Sequence, residues 1–225
     1  MELLKDLNEK QRQAVMHTEG PLLILAGAGS GKTRVLTYRI AYLIYKGVRP
    51  ENILAITFTN KAAREMKERV ADLLPKESKS LLVSTFHSAC VRILRSDIDK
   101  LGYSRNFTIF DTQDQQVLAK ECLKSMNLDE KKYTPAGMLH YISSSKDKLF
   151  TPKKCTDTAR DVREQTMAAL YEMYQKKLYE NNALDFDDLI MKTVELFQQH
   201  PDVLSYYQNR FRYILVDEYQ DTNRA

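Results

Sequence analysis

The stretch "LLILAGAGSGKT" near the N-terminus restricts the possible folds of this chain more than any other segment. A continuously apolar run ends at Ala26, three glycines alternate with small residues, and the helical pattern "KTRVLTYRIAYLIYKG" follows. This order has the form of the phosphate-loop pattern G-x-x-x-x-G-K-[ST], with Ala26 at the first position. A glycine-rich turn that only joins a strand to a helix is the alternative. Gly-Lys-Thr between a strand and a helix favours binding of a nucleoside triphosphate.

Each part of this loop has a predicted task. The glycines lack Cβ atoms, so several backbone N–H groups can converge on one phosphate, and the start of the following helix adds partial positive charge. Lys32 is predicted to reach the β- and γ-phosphates, and Thr33 is predicted to ligate Mg²⁺. The loop residues predicted to contact the nucleotide are Ala26, Gly27, Ala28, Gly29, Ser30, Gly31, Lys32 and Thr33.

A second acidic feature lies near the C-terminus, in "YILVDEYQDTNRA". Four apolar or aromatic residues precede Asp217 and Glu218, as in a buried strand that ends in two carboxylates. An exposed turn or a helix N-terminus is the alternative interpretation. Because a phosphate loop needs a second Mg²⁺ partner, Asp217 is predicted to hold the metal shell, through water. Glu218 is predicted to orient or deprotonate the attacking water.

Five short apolar runs predict the strands of an α/β fold. Most are continuously apolar, as in parallel strands covered on both faces, and helical patterns separate the first three. The predicted strands are Leu22–Ala26, Ile53–Phe58, Leu81–Phe86, Phe107–Phe110 and Tyr213–Val216.

The segment between Phe110 and Tyr213 shows no convincing strand and predicts a helical insertion into the α/β domain. Asp111-Thr112 is predicted to cap one helix, and Thr156 or Asp157 a longer one. A third predicted helix begins near Asp185.

Composition adds limits rather than a function. The chain has 225 residues, 43% of them hydrophobic, which is enough for one large core or two domains. Its net charge of +4 is compatible with a nucleic-acid partner but equally with an ordinary surface. The start "MELLKDLNEKQ" is not a signal peptide, and "PLLILA" is too short to span a bilayer. Three cysteines without metal-binding spacing favour a reducing, cytoplasmic location.

The motifs "AGAGSGKT", "TFTNKAA", "STFHS", "LDFDDLI" and "VDEYQDTNRA" occur in this order. In this respect the chain closely resembles the N-terminal third of superfamily 1 DNA helicases of the UvrD/PcrA/Rep type. The resemblance implies a RecA-like P-loop domain, 1A, over 1–110 and 201–225. It implies an all-helical domain, 1B, over 111–200. Domain 1A is expected to be incomplete.

The resemblance also implies roles for residues outside the loop. "LNEKQRQAV" is similar to the family's Q motif, in which Gln11 falls on the position that recognises adenine. Arg34 matches a family arginine near the nucleotide, and Gln220 is implied as a relay between the nucleotide and the DNA. Without the resemblance, the sequence pattern alone would make Gln11 a surface residue and Arg34 a solvated helix arginine.

Two further motifs imply contacts to DNA. "ITFTNKAAREM" resembles motif Ia, so Thr57, Thr59 and Asn60 are expected to bind phosphate, and Phe58 is expected to stack on a base. "STFHS" resembles motif Ib, which implies Thr85 and His87 near the DNA; a core phenylalanine and a structural histidine are the alternatives. Asp185, Asp187 and Asp188 form an acidic helix start, to which no catalytic role is assigned.

The implied activity is ATP-driven 3′ to 5′ translocation along single-stranded DNA, with unwinding at junctions of single- and double-stranded DNA, in repair or replication. ATP and Mg²⁺ are the implied cofactors, and no membrane partner is expected. The second RecA-like domain, with its arginine fingers, and the other C-terminal helicase domains are expected to lie outside this chain. We therefore expect weak Mg-ATP binding, very slow hydrolysis and no unwinding by the isolated chain. Two alternatives are a fragment of a RecB/AddA-type helicase–nuclease and a non-catalytic DNA- or partner-binding product.

Overall fold

The structure is a computed structural model that describes residues 2–27, 29–129 and 131–222. The helices in these ranges are α1 (Glu9–Met16), α2 (Lys32–Tyr45), α3 (Asn60–Leu73), α4 (Phe86–Asp97), α5 (Thr112–Ser125), α6 (Pro135–Lys146), α7 (Pro152–Thr158), α8 (Val162–Glu180), α9 (Phe186–Gln199) and α10 (Pro201–Arg210). The strands are β1 (Ile53–Thr57), β2 (Leu82–Thr85), β3 (Thr108–Ile109), β4 (Ala183–Leu184) and β5 (Tyr213–Val216). None of the helices in the described ranges has the length and apolar character needed to cross a membrane.

The chain divides into two compact units. Residues up to Ser88 form one unit together with Ser205–Thr222, and Ala89–Leu204 form the other. These limits fall at other residues than the domain boundaries inferred from the sequence, which remain predictions.

The first unit contains a parallel three-stranded sheet in the order β2-β1-β5. β1 is central and buried along its whole length, which explains its continuously apolar sequence. An apolar cluster covers the sheet and joins it to α2 and α3; its buried members are Ile40, Leu43, Ile53, Ala55, Met66, Val70, Leu81 and Leu215. The predicted α/β class is confirmed. Because the three strands are parallel, their carboxyl ends lie at one edge of the sheet, where such sheets place ligand sites.

The predicted strand Leu22–Ala26 is wrong. Residues 21–27 have no regular secondary structure, and the side chains of Leu23 and Leu25 are 67% and 87% exposed. An apolar run becomes a strand only when a neighbour takes its backbone hydrogen bonds. No strand in the described part of the chain pairs with this segment.

The second unit is mainly helical, with one short two-stranded parallel sheet. The predicted strand Phe107–Phe110 shortens to β3, which pairs with β4 rather than with the sheet of the first unit. The sequence did not predict β4, because two residues are too few to show a pattern. The core of this unit consists of apolar and aromatic side chains from α5, α6, α7, α8 and β4.

Helix starts in the second unit follow the capping rules. Asp111 caps α5, as predicted, and Asp185, near which a helix start was predicted, caps α9; each forms a reciprocal capping box. The prediction that Thr156 or Asp157 caps a long helix is wrong, because both residues lie inside α7. The long helix α8 begins after Asp161, whose side chain accepts a hydrogen bond from the Glu164 N–H at 2.8 Å.

Candidate functional site

The phosphate-loop segment closes onto the start of α2 through two glycines with left-handed backbone. Gly29 has φ 74° and Gly31 has φ 86°, a region that residues with a Cβ rarely adopt. Gly31 is also the N-cap of α2, and a Cβ on it would lie 3.1 Å from Gln11 Nε2. The left-handed backbone therefore favours glycine at position 31, and a larger residue there would also press on the Gln11 side chain.

Short contacts within the loop hold its side chains over its own carbonyl groups. Ser30 Oγ donates to the Gly27 carbonyl at 2.6 Å, and Lys32 Nζ donates to the Ala26 carbonyl at 3.3 Å. Ala28, which the sequence placed in the same loop, lies outside the described residues. The ammonium group of Lys32 thus lies over the loop, within reach of any anion that the loop binds.

Gln11 lies beside this loop and takes part in two sets of contacts. As the third residue of α1 it forms a capping box with Asn8, in which its Oε1 accepts the Asn8 N–H at 3.1 Å. Its Nε2 donates to the Ser30 carbonyl at 3.1 Å. The residue predicted to recognise the base is therefore adjacent to the loop predicted to bind the phosphates.

Thr33 and Asp217, predicted from segments far apart in sequence, lie together. Thr33 Oγ1 donates to Asp217 Oδ2 at 3.5 Å, a long contact between residues 184 positions apart. The Asp217 N–H donates to the Ile56 carbonyl at 2.9 Å, which extends the pairing of β5 with β1 by one residue. This pairing places the Asp217 carboxylate at the carboxyl edge of the sheet, beside the start of α2.

The Asp217 carboxylate is buried, with 7% of the residue exposed. Burial and, to a smaller extent, the Glu218 carboxylate raise the pKa of Asp217 above its ordinary value, while the Glu218 N–H, Thr33 and Lys32 each act to lower it. Its second oxygen, Oδ1, accepts only the Glu218 N–H, at 3.1 Å, among the described residues. Lys32 acts on Asp217 from a distance and forms no ion pair with it among the described residues, so a cation bound beside this carboxylate would be favoured.

Glu218 adopts a left-handed backbone conformation, with φ 51° and ψ 49°. This conformation costs a residue with a side chain roughly 1–2 kcal/mol. Gln220 Nε2 donates to Glu218 Oε2 at 2.5 Å and so fixes the carboxylate. A strained residue that its neighbour holds in place is typical of functional sites.

The predicted DNA contacts from motif Ia divide into buried and exposed groups. Thr57 is 1% exposed and its hydroxyl donates to the Thr59 carbonyl at 3.1 Å. The Thr59 side chain caps α3 by accepting the Ala62 N–H at 3.1 Å, and Asn60 is the exposed first residue of that helix. Thr57 is thus buried, whereas Thr59 and Asn60 are both exposed, and the hydroxyls of Thr57 and Thr59 hold the backbone at the start of α3.

Phe58 is not a core phenylalanine, since it is 41% exposed. Its ring meets that of Phe86 edge to face, with the ring centres 6.0 Å apart. Thr85 is 8% exposed and its hydroxyl donates to Ser88 Oγ at 2.9 Å, whereas His87 is exposed on α4. Phe58 and His87 thus offer accessible aromatic surface close to the carboxyl ends of β1 and β2.

Arg34 follows the loop on α2 and makes contacts of its own. Its guanidinium lies 4.0 Å from the Asp6 carboxylate and 5.3 Å from the centre of the Tyr38 ring, and its side chain is 46% exposed. Among the described residues, no hydrogen bond or ion pair joins its guanidinium to Gln11 or to the loop. Among the described residues, no group of three or more His, Cys, Asp or Glu side chains could hold a metal ion.

Comparison with known protein families gives the family of this chain. The model of the UvrD/REP helicase N-terminal domain matches residues 7–225. The chain belongs to the UvrD/REP helicase family. The predicted resemblance is confirmed.

Curated members of the UvrD/REP family show how much of such a protein this chain represents. It is 57% identical, over 224 residues, to a protein named ATP-dependent DNA helicase PcrA from Staphylococcus epidermidis, and equally to one of the same name from Staphylococcus aureus. The alignment covers 99% of this chain and 31% of each relative. The chain therefore spans about a third of the length of the curated relatives that it matches.

This UvrD/REP-family chain also contains a buried ionic cluster that sequence analysis missed. Lys146 Nζ, fully buried, lies 2.7 Å from Asp185 Oδ2 and 2.9 Å from Asp188 Oδ1. The Tyr174 hydroxyl donates to Asp185 at 3.2 Å, and Gln175 Nε2 donates to both oxygens of Asp188 at 3.0 and 3.1 Å. The sequence indicated the acidic helix start but not its cation, which is 39 residues away from Asp185. The one available signal was a lysine at the end of the otherwise uncharged helix α6.

Proposed function

We propose that this chain is the ATP-binding part of an ATP-dependent DNA helicase that moves 3′ to 5′ along single-stranded DNA and opens duplexes at junctions. Membership of the UvrD/REP family and the name of the relatives, ATP-dependent DNA helicase PcrA, support the proposal. The observation that carries it is the contact between Thr33 and Asp217, at 3.5 Å. It brings the end of the phosphate-loop motif to the acidic tip of β5. The matched relatives do not favour the helicase–nuclease alternative.

The two units correspond, in this proposal, to the domains implied by the sequence. The parallel sheet of the first unit is compatible with part of a RecA-like P-loop domain 1A, and the helical second unit with domain 1B. Boundaries at 110 and 200, and C-terminal domains contributed by a longer protein, belong to the proposal. The chain spans only 31% of the length of its PcrA relatives, and this supports the proposal of further domains in a longer protein.

Mg²⁺ and ATP fit the groups that this site offers. A hydroxyl and a carboxylate are hard oxygen ligands of the kind that Mg²⁺ prefers, and Thr33 and Asp217 supply one of each. Lys32 and the backbone N–H groups of the loop would bind the phosphates. The loop residues that would do so are Gly27, Gly29, Ser30 and Gly31. When bound, Mg²⁺ neutralises negative charge on the phosphates.

Glu218 would act as the base that orients or deprotonates the attacking water, and Gln220 would position it. The hydrogen bond of 2.5 Å from Gln220 Nε2 fixes one oxygen of the Glu218 carboxylate, which leaves the other available to a water molecule. Because Gln220 is exposed, it is also suited to sense a neighbouring ligand. This supports its proposed role as a relay between nucleotide and DNA.

Gln11 and Arg34 would contact the nucleoside. The amide of Gln11 offers one donor and one acceptor, which match the N7 and N6 groups of adenine. The Arg34 side chain is 46% exposed and its guanidinium lies 5.3 Å from the centre of the Tyr38 ring, so it is accessible to a base.

Single-stranded DNA would bind at the carboxyl ends of β1 and β2. Phe58 would stack on a base, which requires no particular sequence. Asn60, the start of α3 and His87 would contact phosphates. The buried hydroxyls of Thr57 and Thr85 would then support the backbone there rather than bind DNA themselves.

Nucleotide titration of the purified chain tests the proposal. We expect Mg-ATP to bind, and Lys32→Ala to weaken binding by about tenfold or more, since an ionic hydrogen bond contributes about 1.5–3 kcal/mol. Lys46→Ala, an exposed lysine at the other end of α2, is the matched control and should bind as the wild type does. Absence of Mg-ATP binding by the folded wild-type chain would refute the proposal.

A further inference from the structure

Arg39 is a buried arginine of α2 whose hydrogen bonds go to the backbone of another helix. Only 8% of the residue is exposed. Its Nη1 donates to the Ala14 carbonyl at 2.8 Å and to the His17 carbonyl. Both carbonyls belong to the C-terminal end of α1, of which His17 is the C-cap.

These contacts satisfy groups that a helix cannot satisfy alone. The last carbonyls of a helix have no partner within it, and they carry the partial negative charge of the helix dipole. A guanidinium placed there supplies both hydrogen bonds and opposite charge. Arg39 therefore fixes the C-terminal end of α1 to α2.

Helix α1 also carries Gln11, about one turn before Ala14. Gln11 and Ala14 are three residues apart and so lie on one face of α1, which is only about 12 Å long at 1.5 Å per residue. At the other end of this face, Gln11 Nε2 donates to the Ser30 carbonyl of the loop at 3.1 Å. α1 is thus held at two points, by the loop and by Arg39.

Apolar contacts alone would not fix its position. Val15 is fully buried with Val35 and Tyr42 in a small cluster that joins α1 to α2. Such burial is non-directional, so it tolerates a small rotation or sliding of the helix. The hydrogen bonds from Arg39 are directional, and a rotation of α1 would break them.

We propose that Arg39 is a positioning residue for base recognition: it fixes α1 on α2 so that the amide of Gln11 stays beside the phosphate loop. Arg39 does not contact the nucleotide in this account. The inference rests on the proposed function, because it requires a nucleotide bound in the loop.

The test compares three ligands with the same variant. ATP and GTP differ in the base edge that Gln11 would recognise, and Mg-tripolyphosphate has no base. We expect the wild-type chain to prefer ATP over GTP, because the O6 of guanine is an acceptor where adenine has a donor. Arg39→Met should lower that preference by about tenfold, towards the value of Gln11→Ala. Its affinity for Mg-tripolyphosphate should stay within about twofold, since the loop itself is intact.

Matched variants separate positioning from general stability. Arg49→Met, an exposed arginine of the same unit, should leave the ATP preference unchanged. Arg39→Lys keeps the positive charge on a single nitrogen and should recover part of the ATP preference. It also replaces Arg39→Met as the test variant if Arg39→Met does not fold. The double variant of Gln11→Ala and Arg39→Met should show no lower preference than Gln11→Ala alone.

The possible outcomes are distinct. An unchanged ATP preference in Arg39→Met overturns the inference. If Arg39→Met does not fold, an unchanged preference in Arg39→Lys overturns it. An equal loss of affinity for ATP and tripolyphosphate also overturns it, because it indicates a structural role only. If the wild-type chain binds neither ligand, the proposed function itself fails. If it binds both but does not distinguish ATP from GTP, only the inference fails.

Discussion

Buried carboxylates occur in both units, but their surroundings differ. In the second unit, Asp185 and Asp188 share Lys146 and accept further hydrogen bonds from Tyr174 and Gln175. In the first unit, Asp217 has one long contact to Thr33 and one hydrogen bond from the Glu218 N–H, and no lysine or arginine of the described ranges lies within ion-pairing distance of it.

The difference indicates which carboxylates hold the fold and which are available to a ligand. The Lys146 cluster, formed by Lys146, Asp185 and Asp188, contains a cation of its own and hydrogen-bond donors from neighbouring helices, so it stabilises one arrangement of α6, α8 and α9. A buried carboxylate without a cation remains costly until a ligand supplies one. We therefore interpret the Lys146 cluster as structural and Asp217 as part of a binding site.

The largest effect should come from removing the cation of the Lys146 cluster. Lys146→Met leaves two buried carboxylates without their counter-ion, and this should lower the free energy of unfolding by about 3–5 kcal/mol. Urea unfolding followed by circular dichroism would measure it. Lys148→Met, two residues away and exposed, should change the stability by less than about 0.5 kcal/mol. Equal stability of the two variants would show that the cluster is not structural.

A smaller effect should appear in the phosphate-loop segment, at Gly31. Gly31→Ala should destabilise by roughly 1–2 kcal/mol through its left-handed φ. It should also weaken ATP binding, because the new Cβ would lie 3.1 Å from Gln11 Nε2. Gly47→Ala is a matched control, since its φ of 93° is equally left-handed but no atom lies within 4 Å of the added Cβ. If Gly47→Ala reduced ATP binding as much, the contact with Gln11 would not matter.

The last effect is a pH dependence of the Lys146 cluster. One lysine serves two carboxylates, and burial, followed by repulsion from Asp188, raises the pKa of Asp185 to about 6. The folded state then binds a proton more tightly than the unfolded state, whose pKa is near 3.8. Wild-type stability, relative to Asp185→Asn, should therefore increase as the pH falls from about 7 towards 4. Urea unfolding of both proteins at several pH values would measure this difference.

The sign of that pH dependence is decisive. A carboxylate whose pKa is lowered by Lys146 would lose stability on acidification instead. A relative stability that decreases with falling pH would therefore show that the single lysine dominates both carboxylates.

The sequence predicted the residues that meet at Thr33 and Asp217 but not the Lys146 cluster, and the reasons are physical. The Thr33 and Asp217 segments were recognisable because a glycine-rich loop and an apolar strand tip each have a local pattern. The partner of Asp185 was not, since Lys146 reaches it only through the packing of α6 against α9. The predicted strand Leu22–Ala26 failed for a related reason: apolar residues indicate a strand, but pairing depends on another segment.

The most direct test of the account is whether Thr33 and Asp217 act together on Mg²⁺. The chain's affinity for ATP would be measured with and without Mg²⁺ for the wild type, Thr33→Val, Asp217→Asn and the double variant. We predict that Mg²⁺ strengthens ATP binding by the wild type and that each single variant loses most of this gain. The double variant should lose little more, with a coupling of about 0.5–3 kcal/mol. Strictly additive losses, or a full Mg²⁺ effect in Asp217→Asn, would contradict the assignment of these residues to one metal site.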